Sequence, residues 1–73
     1  MEVMILLHIG EVIRQTRIEK GINSKDLAKK AYVTVNYINA LESGKGSIQF
    51  DKIVRVAQAL NIDIRELAAF YID

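Results

Sequence analysis

The sequence of 73 residues contains no cysteine, no proline and no tryptophan, and it has a single histidine. Without cysteine neither a disulfide nor a thiolate metal site can form, so the core has to hold by packing alone. His8 cannot build a metal site by itself, and the composition offers no evident pair of nucleophile and base. We therefore expect no metal, no cofactor, no small-molecule ligand and no enzymatic activity.

Long hydrophobic runs are also missing. The early apolar segment, residues 3–7, is too short to span a membrane, and it follows Glu2 where a secretory signal would have basic residues. Hydrophobic residues make up 51% of the chain, and no segment is repeated or of low complexity. This composition is typical of one small helix-rich domain, which we assign to residues 1–73 of a cytoplasmic protein.

Positive charge is concentrated in the middle of the chain, although the formal net charge is only +1. Residues 14–45 carry seven basic and three acidic side chains, whereas the segments before and after them are each net negative. A surface that faces DNA phosphates requires such an excess. A lysine-rich face that only contacts solvent would have it too, so charge alone leaves both interpretations open.

The spacing of apolar residues predicts a first helix over residues 5–20. Its predicted buried stripe consists of Leu6, Ile9, Ile13 and Thr16. Gly10 lies inside this helix, where glycine costs about 1 kcal/mol relative to alanine, and we interpret it as a site where another helix approaches closely. Gly21 follows as a glycine that ends the helix.

Two short helices joined by a tight turn are predicted at residues 23–44, and two more helices follow them. Asn23 and Thr34 are the expected N-caps of the second and third helices, and the third helix covers residues 35–42. A fourth helix is predicted at residues 50–60, and a fifth at residues 64–72 with Asp63 as its cap. The predicted buried face of the fourth helix consists of Phe50, Ile53, Val54, Ala57 and Leu60.

This register resembles the lambda-repressor-like (Cro/XRE-type) helix-turn-helix family. The resemblance depends on Leu27-Ala28, Val33, Ile38 and Leu41-Glu42-Ser43-Gly44, with agreement at Ile9-Gly10, Ile13, Arg17, Gly21, Ala57, Ala59-Leu60, Ile62 and Leu67. It implies a compact all-α domain of five helices. It also implies a sequence-specific transcriptional regulator that binds double-stranded DNA as a homodimer. The alternative is a protein-interaction module on the same fold, such as an antitoxin or a regulator's partner.

The resemblance also implies roles for individual residues. The third helix would lie in the major groove, and base readout would come from Val35, Asn36, Asn39 and Ala40. Contacts with the DNA backbone would come from Asn23, Ser24, Lys25, Thr34, Tyr37 and Lys45. Arg17 and Glu42 match a basic and an acidic residue that typically form a structural ion pair. Each asparagine could instead be an ordinary solvated residue, and Tyr37 could pack its ring rather than donate its hydroxyl.

Three positions depart from the family's usual pattern. Tyr32 stands where many members have glycine, and a left-handed backbone there would cost about 1–2 kcal/mol, so we expect a reshaped turn. Ser24 stands where glutamine is frequent in the family. Val35 stands where the family frequently has a polar side chain that contacts bases. Together these differences predict an altered sequence preference rather than a loss of DNA binding.

The end of the chain has more apolar residues than one small core can bury. We assign Leu67, Ala68, Phe70, Tyr71 and Ile72 to a homodimer interface. Alternatively, Leu67 and Phe70 are core and the rest is a frayed terminus. Dimerisation would supply two recognition helices, one for each half-site, and sequence-specific binding generally requires two half-sites. The length resembles phage Cro-like regulators, antitoxins and controller proteins of restriction–modification systems, and the apolar segment before Ile9 and residues 36–39 point towards the controller group.

Overall fold

The computed structural model describes the backbone of residues 2–45 and 49–67, with side chains from Leu7 onward. These residues form α1 (Glu2–Glu19), α2 (Ser24–Ala31), α3 (Val35–Glu42) and α4 (Phe50–Ala59), and residues 64–67 are again helical, in what we call α5. The described residues include no strand, and the predicted all-α fold with five helices is confirmed. No described helix is long and apolar enough to cross a membrane.

Helix α1 packs on α3 through its buried residues Ile9 and Ile13. A Cβ atom added to Gly10 would collide with the carbonyl oxygen of Leu41, the second-last residue of α3. Only glycine allows the two backbones to come this close, which confirms the predicted close approach. Helix α1 starts three residues earlier than predicted, and Thr16 is only half-buried.

The predicted N-caps of α2 and α3 are both present. The Oδ1 atom of Asn23 accepts a hydrogen bond from the backbone N–H of Asp26 at 2.8 Å. The hydroxyl oxygen of Thr34 accepts one from the N–H of Tyr37 at 3.0 Å. Each cap satisfies a donor that the first turn of a helix leaves unpaired, and so fixes where the helix begins. Behind these caps the two helices bury Leu27, Ala28, Ala31, Ile38 and Leu41.

Helices α1 to α4 end in the same way. After each one a residue adopts a left-handed backbone, and these four residues are Gly21, Tyr32, Gly44 and Asn61. The next residue then donates its N–H to the carbonyl five positions back, at distances between 2.9 and 3.1 Å. Glycine and asparagine tolerate this conformation, and tyrosine does not. Tyr32 is therefore the strained member of the set.

The turn between α2 and α3 is not reshaped by Tyr32, contrary to the prediction. Tyr32 has φ 58° and ψ 44°, and its side chain is 85% exposed. Its N–H points to the carbonyls at the end of α2, and the N–H of Val33 bonds the carbonyl of Ala28 at 3.0 Å. The half-buried Val33 packs against the core directly after the turn. Packing and hydrogen bonds thus outweigh the strain of one residue.

Helix α4 packs mainly on α2. Its buried residues are Ile53, Val56 and Ala57, and Leu60 follows them in the core. The assignment of Phe50 to this face is wrong, because its side chain is 59% exposed. Phe50 is the first residue of α4 and lies at the edge of the core, so helical spacing alone overstated its burial. Val54 is half-buried, whereas Val56, which was not among the predicted residues, is fully buried.

Helix α5 begins at the predicted cap. Asp63 accepts a hydrogen bond from the N–H of Arg65 at 2.9 Å, and its carboxylate also bonds the Arg65 guanidinium. These bonds lower the pKa of Asp63 to about 2. Leu67 is 2% exposed within a single chain, so its assignment to a dimer interface is corrected to the core. Ala68, Phe70, Tyr71 and Ile72 lie outside the described residues.

Replacing Tyr32 should test the cost of the left-handed turn. We expect Tyr32→Gly to raise the free energy of unfolding by about 0.5–1 kcal/mol, because the relief of strain exceeds glycine's extra entropy in the unfolded chain. Tyr32→Ala is the matched control, since it also removes the exposed ring but keeps the β-carbon that causes the strain. Urea denaturation measures both. If Tyr32→Gly is less stable than Tyr32→Ala by about 0.5–1 kcal/mol, which is glycine's entropic cost alone, the turn is not strained.

Candidate nucleic-acid interface

An ion pair joins the rear of α3 to α1. The Arg17 guanidinium donates through Nε to Oε2 of Glu42 at 2.7 Å and through its second terminal nitrogen to Oε1 at 3.0 Å. Its remaining nitrogen donates to the carbonyl oxygen of Ile22 at 3.0 Å. The pair expected from the sequence is therefore present, and it also reaches the segment that leads into α2.

The geometry of this pair gives it a structural role. The Arg17 and Glu42 side chains are only 16% and 9% exposed, and both carboxylate oxygens are occupied by the guanidinium. The hydrogen bond that the Glu42 carboxylate accepts raises the pKa of Arg17, and partial burial opposes that rise. Two parallel charge-assisted bonds fix both distance and angle. They hold the last residue of α3 against α1 and leave the opposite face of α3 uncovered.

Breaking this pair should destabilise the protein. We expect Glu42→Gln to lower the free energy of unfolding by about 1–3 kcal/mol, because a partly buried guanidinium loses its counter-charge and one bonding oxygen. Glu11→Gln is the matched control, because Glu11 is exposed on α1 and should change stability by less than about 0.5 kcal/mol. Urea denaturation at neutral pH measures both variants. If the two substitutions have equal effects, the pair contributes nothing specific to stability.

The residues predicted to read bases lie on the uncovered face of α3, with one partial exception. Val35 is 38% exposed, and Asn36 and Asn39 are also exposed. Ala40 is half-buried, so only part of its surface reaches solvent. The two asparagines stand three residues apart, which places both amides on one side of the helix. This side can present hydrogen-bond donors and acceptors together with a small apolar surface.

The predicted backbone contacts flank this face. Asn23 and Lys25 are exposed at the start of α2, and Ser24 between them is half-buried. The oxygen of Asn23 is used by its cap bond, which leaves its amide N–H groups available as donors. Thr34 uses its hydroxyl oxygen as an acceptor in the same way and keeps a proton to donate. Lys45 is exposed just after α3.

Tyr37 does not present its hydroxyl to solvent. The side chain is half-buried, Lys52 Nζ lies 5.1 Å from the centre of its ring, and the hydroxyl is buried with no hydrogen-bond partner among the described residues. Burial raises the pKa of this hydroxyl, the charge of Asp51 raises it further, and the charge of Arg55 opposes both. In this conformation Tyr37 packs its ring and does not donate its hydroxyl to DNA, which was the alternative considered from the sequence. A phosphate contact requires the hydroxyl to turn outward.

One residue that contacts the end of α2 was not predicted from the sequence. Arg55 of α4 donates through Nε to the carbonyl oxygen of Ala31, the last residue of α2, at 3.1 Å. The four-residue spacing from Asp51 is the one signal that the sequence offers, and it points only to an ion pair within α4, where a terminal nitrogen of Arg55 lies 3.8 Å from Oδ2 of Asp51. Nothing in the spacing pointed to a bond across to α2, because that bond depends on how α4 packs.

The fold agrees with comparisons to known proteins. A family model described as helix-turn-helix matches residues 13–67, from the middle of α1 to the start of α5. The chain therefore belongs to the helix-turn-helix family of the Cro/XRE type, whose members are DNA-binding transcriptional regulators. This confirms the family resemblance drawn from the sequence.

Individual relatives point to the same class. The HTH-type transcriptional regulator y4mF of Sinorhizobium fredii, whose function is uncharacterised, is 37% identical over 60 residues, covering 82% of this chain and 79% of that protein. The restriction–modification controller protein C.AhdI of Aeromonas hydrophila has a TM-score of 0.79 and 31% identity, covering 85% of this chain and 94% of its own. A mutant of the controller protein C.Esp1396I also has a TM-score of 0.79, over 94% of this chain and 97% of its own. It is 20% identical, so it shows the fold alone.

Proposed function

We propose that this protein, as a single domain, is a sequence-specific transcriptional regulator that binds DNA in the cytoplasm as a homodimer, with α3 in the major groove. One observation carries the proposal. Gly10 and the Arg17–Glu42 pair hold the rear of α3, while its opposite face presents two exposed amides and a small apolar surface. A helix held from behind can enter the groove without losing its support.

Base readout is assigned to that face. Asn36 and Asn39 can each donate and accept at the N6/N7 edge of an adenine, which requires an exposed amide. Val35 at the start of α3 can contact the methyl group of a thymine, and Ala40 allows close approach where a longer side chain would not fit. This set favours A·T pairs in at least part of the half-site.

Phosphate contacts are assigned to the residues around α3. Asn23, Ser24 and Lys25 lie at the N-terminal end of α2, where unpaired backbone N–H groups and the helix dipole attract anions. Thr34 and Lys45 lie before and after α3 and would bind the backbone on either side of the groove. Tyr37 would join them only after its hydroxyl has turned outward. These contacts position α3 and supply the salt-dependent part of the affinity.

Dimerisation would double the number of base pairs that are read. Ile64 in α5 is 43% exposed, and the apolar residues Ala68, Phe70, Tyr71 and Ile72 follow it in the sequence. We propose this segment as the dimer interface. Leu67 would anchor it by packing in the core of its own chain. The similarity to C.AhdI supports a controller-type regulator in particular.

The division of labour between bases and phosphates is testable once a duplex has been selected from random sequences. We expect Asn36→Ala to lose about 1–3 kcal/mol of discrimination at one base pair. Lys45→Ala should weaken all sequences alike and reduce the slope of log K against log salt concentration by about 1. Gln15→Ala on the exposed face of α1 is the control and should change neither quantity.

Three results would contradict the proposal. If no sequence is enriched at low salt, where phosphate contacts are strongest, the protein does not read DNA. If Asn36→Ala and Lys45→Ala behave identically, the assignment of roles is wrong. If sedimentation gives a single chain of 8.2 kDa in solution and one chain bound per selected duplex, the homodimer is wrong. A stoichiometric protein partner without DNA binding would favour the interaction module.

A further inference from the structure

Arg55 connects α4 to the turn that precedes the recognition helix. Its Nε donates to the carbonyl oxygen of Ala31 at 3.1 Å, and Ala31 is 1% exposed. This carbonyl lies at the end of α2, where helix carbonyls have no partner within the helix. Arg55, a residue of α4, thus provides a hydrogen-bond donor for the buried carbonyl oxygen of Ala31, the residue directly before Tyr32.

The turn after Ala31 needs such support more than the other helix ends do. The remaining left-handed residues are two glycines and one asparagine, all of which accept that conformation. Tyr32 does not, and a strained backbone persists only where its surroundings over-determine it. The same turn also sets the angle between α2 and α3, because only Tyr32, Val33 and Thr34 separate the two helices.

The charge of Arg55 acts on α3 as well. One of its terminal nitrogens lies 3.8 Å from Oδ2 of Asp51, and the guanidinium also influences the buried hydroxyl of Tyr37 in α3. Arg55 therefore connects α4, to which it belongs, with the end of α2. Its side chain is 39% exposed, so more than half of it is covered.

We propose that Arg55 is a positioning residue for DNA reading: its bond to Ala31 holds the strained turn at Tyr32 and thereby fixes the angle of α3. The part of this inference that concerns DNA rests on the proposed function. Arg55 acts through the turn and does not itself contact bases or phosphates. Removing it should change how well α3 fits the groove while leaving the number of phosphate contacts unchanged.

The test compares Arg55→Met in two backgrounds. Methionine keeps much of the apolar stem but removes the N–H donor and the charge. We expect Arg55→Met to weaken binding to the selected duplex by about tenfold and to reduce discrimination between sequences, with an unchanged salt slope. In the Tyr32→Gly background the same change should weaken binding by less than about threefold, because glycine holds the left-handed turn without help.

Controls separate this role from simpler ones. Arg14→Met removes the same charge from the exposed face of α1 and should leave affinity within about twofold. All variants are measured at a temperature where circular dichroism shows them fully folded, and Tyr32→Gly provides the more stable background. A salt slope that falls by about 1 in Arg55→Met would identify a direct phosphate contact and overturn the proposal.

Equal losses in both backgrounds would also overturn it, since Arg55 would then not act through the turn. Failure of the proposed function looks different. In that case the unsubstituted protein enriches no DNA sequence. The coupling between Arg55 and Tyr32 is then measured by a double-mutant cycle on the free energy of unfolding. A coupling free energy between the two substitutions would show that Arg55 stabilises the turn at Tyr32. The absence of coupling would refute that role.

Discussion

The contact between α1 and α3 is the constraint on which the rest of the structure depends. Gly10 lets the backbone of α1 lie against the carbonyl of Leu41, and a few residues away Arg17 holds Glu42 with two parallel hydrogen bonds. The first interaction sets how near the helices come, and the second sets their relative rotation. Because both act on the rear of α3, its other face needs no intramolecular partner and is available for DNA.

The second constraint is the turn that joins α2 to α3. Its strain at Tyr32 is tolerated because three independent interactions agree on one geometry: the backbone bonds at the end of α2, the packing of Val33 and the bond from Arg55 to Ala31. The α1 contact and this turn act at opposite ends of α3. Together they explain how a helix of eight residues can be held at a fixed angle in so small a protein.

Features that depend on local sequence were predictable, and features that depend on tertiary neighbours were not. Caps at Asn23 and Thr34 follow from backbone chemistry that acts within a few residues. The close approach at Gly10 is a tertiary contact, but it was predictable because glycine inside a helix is unfavourable without such a reason. Phe50 has the spacing of a core residue but lies at the edge of the core. The hydroxyl of Tyr37 is buried where the ring packs against the core, a tertiary arrangement that no periodicity reveals.

The most direct test of the account is a nuclear magnetic resonance titration with the selected duplex. It asks which face of the folded protein meets DNA. We expect the largest changes in amide chemical shift at Thr34, Asn36 and Asn39 and at the start of α2, and little change on the exposed face of α1 around Glu11 and Gln15. Largest changes on that face of α1, with α3 unaffected, would contradict it.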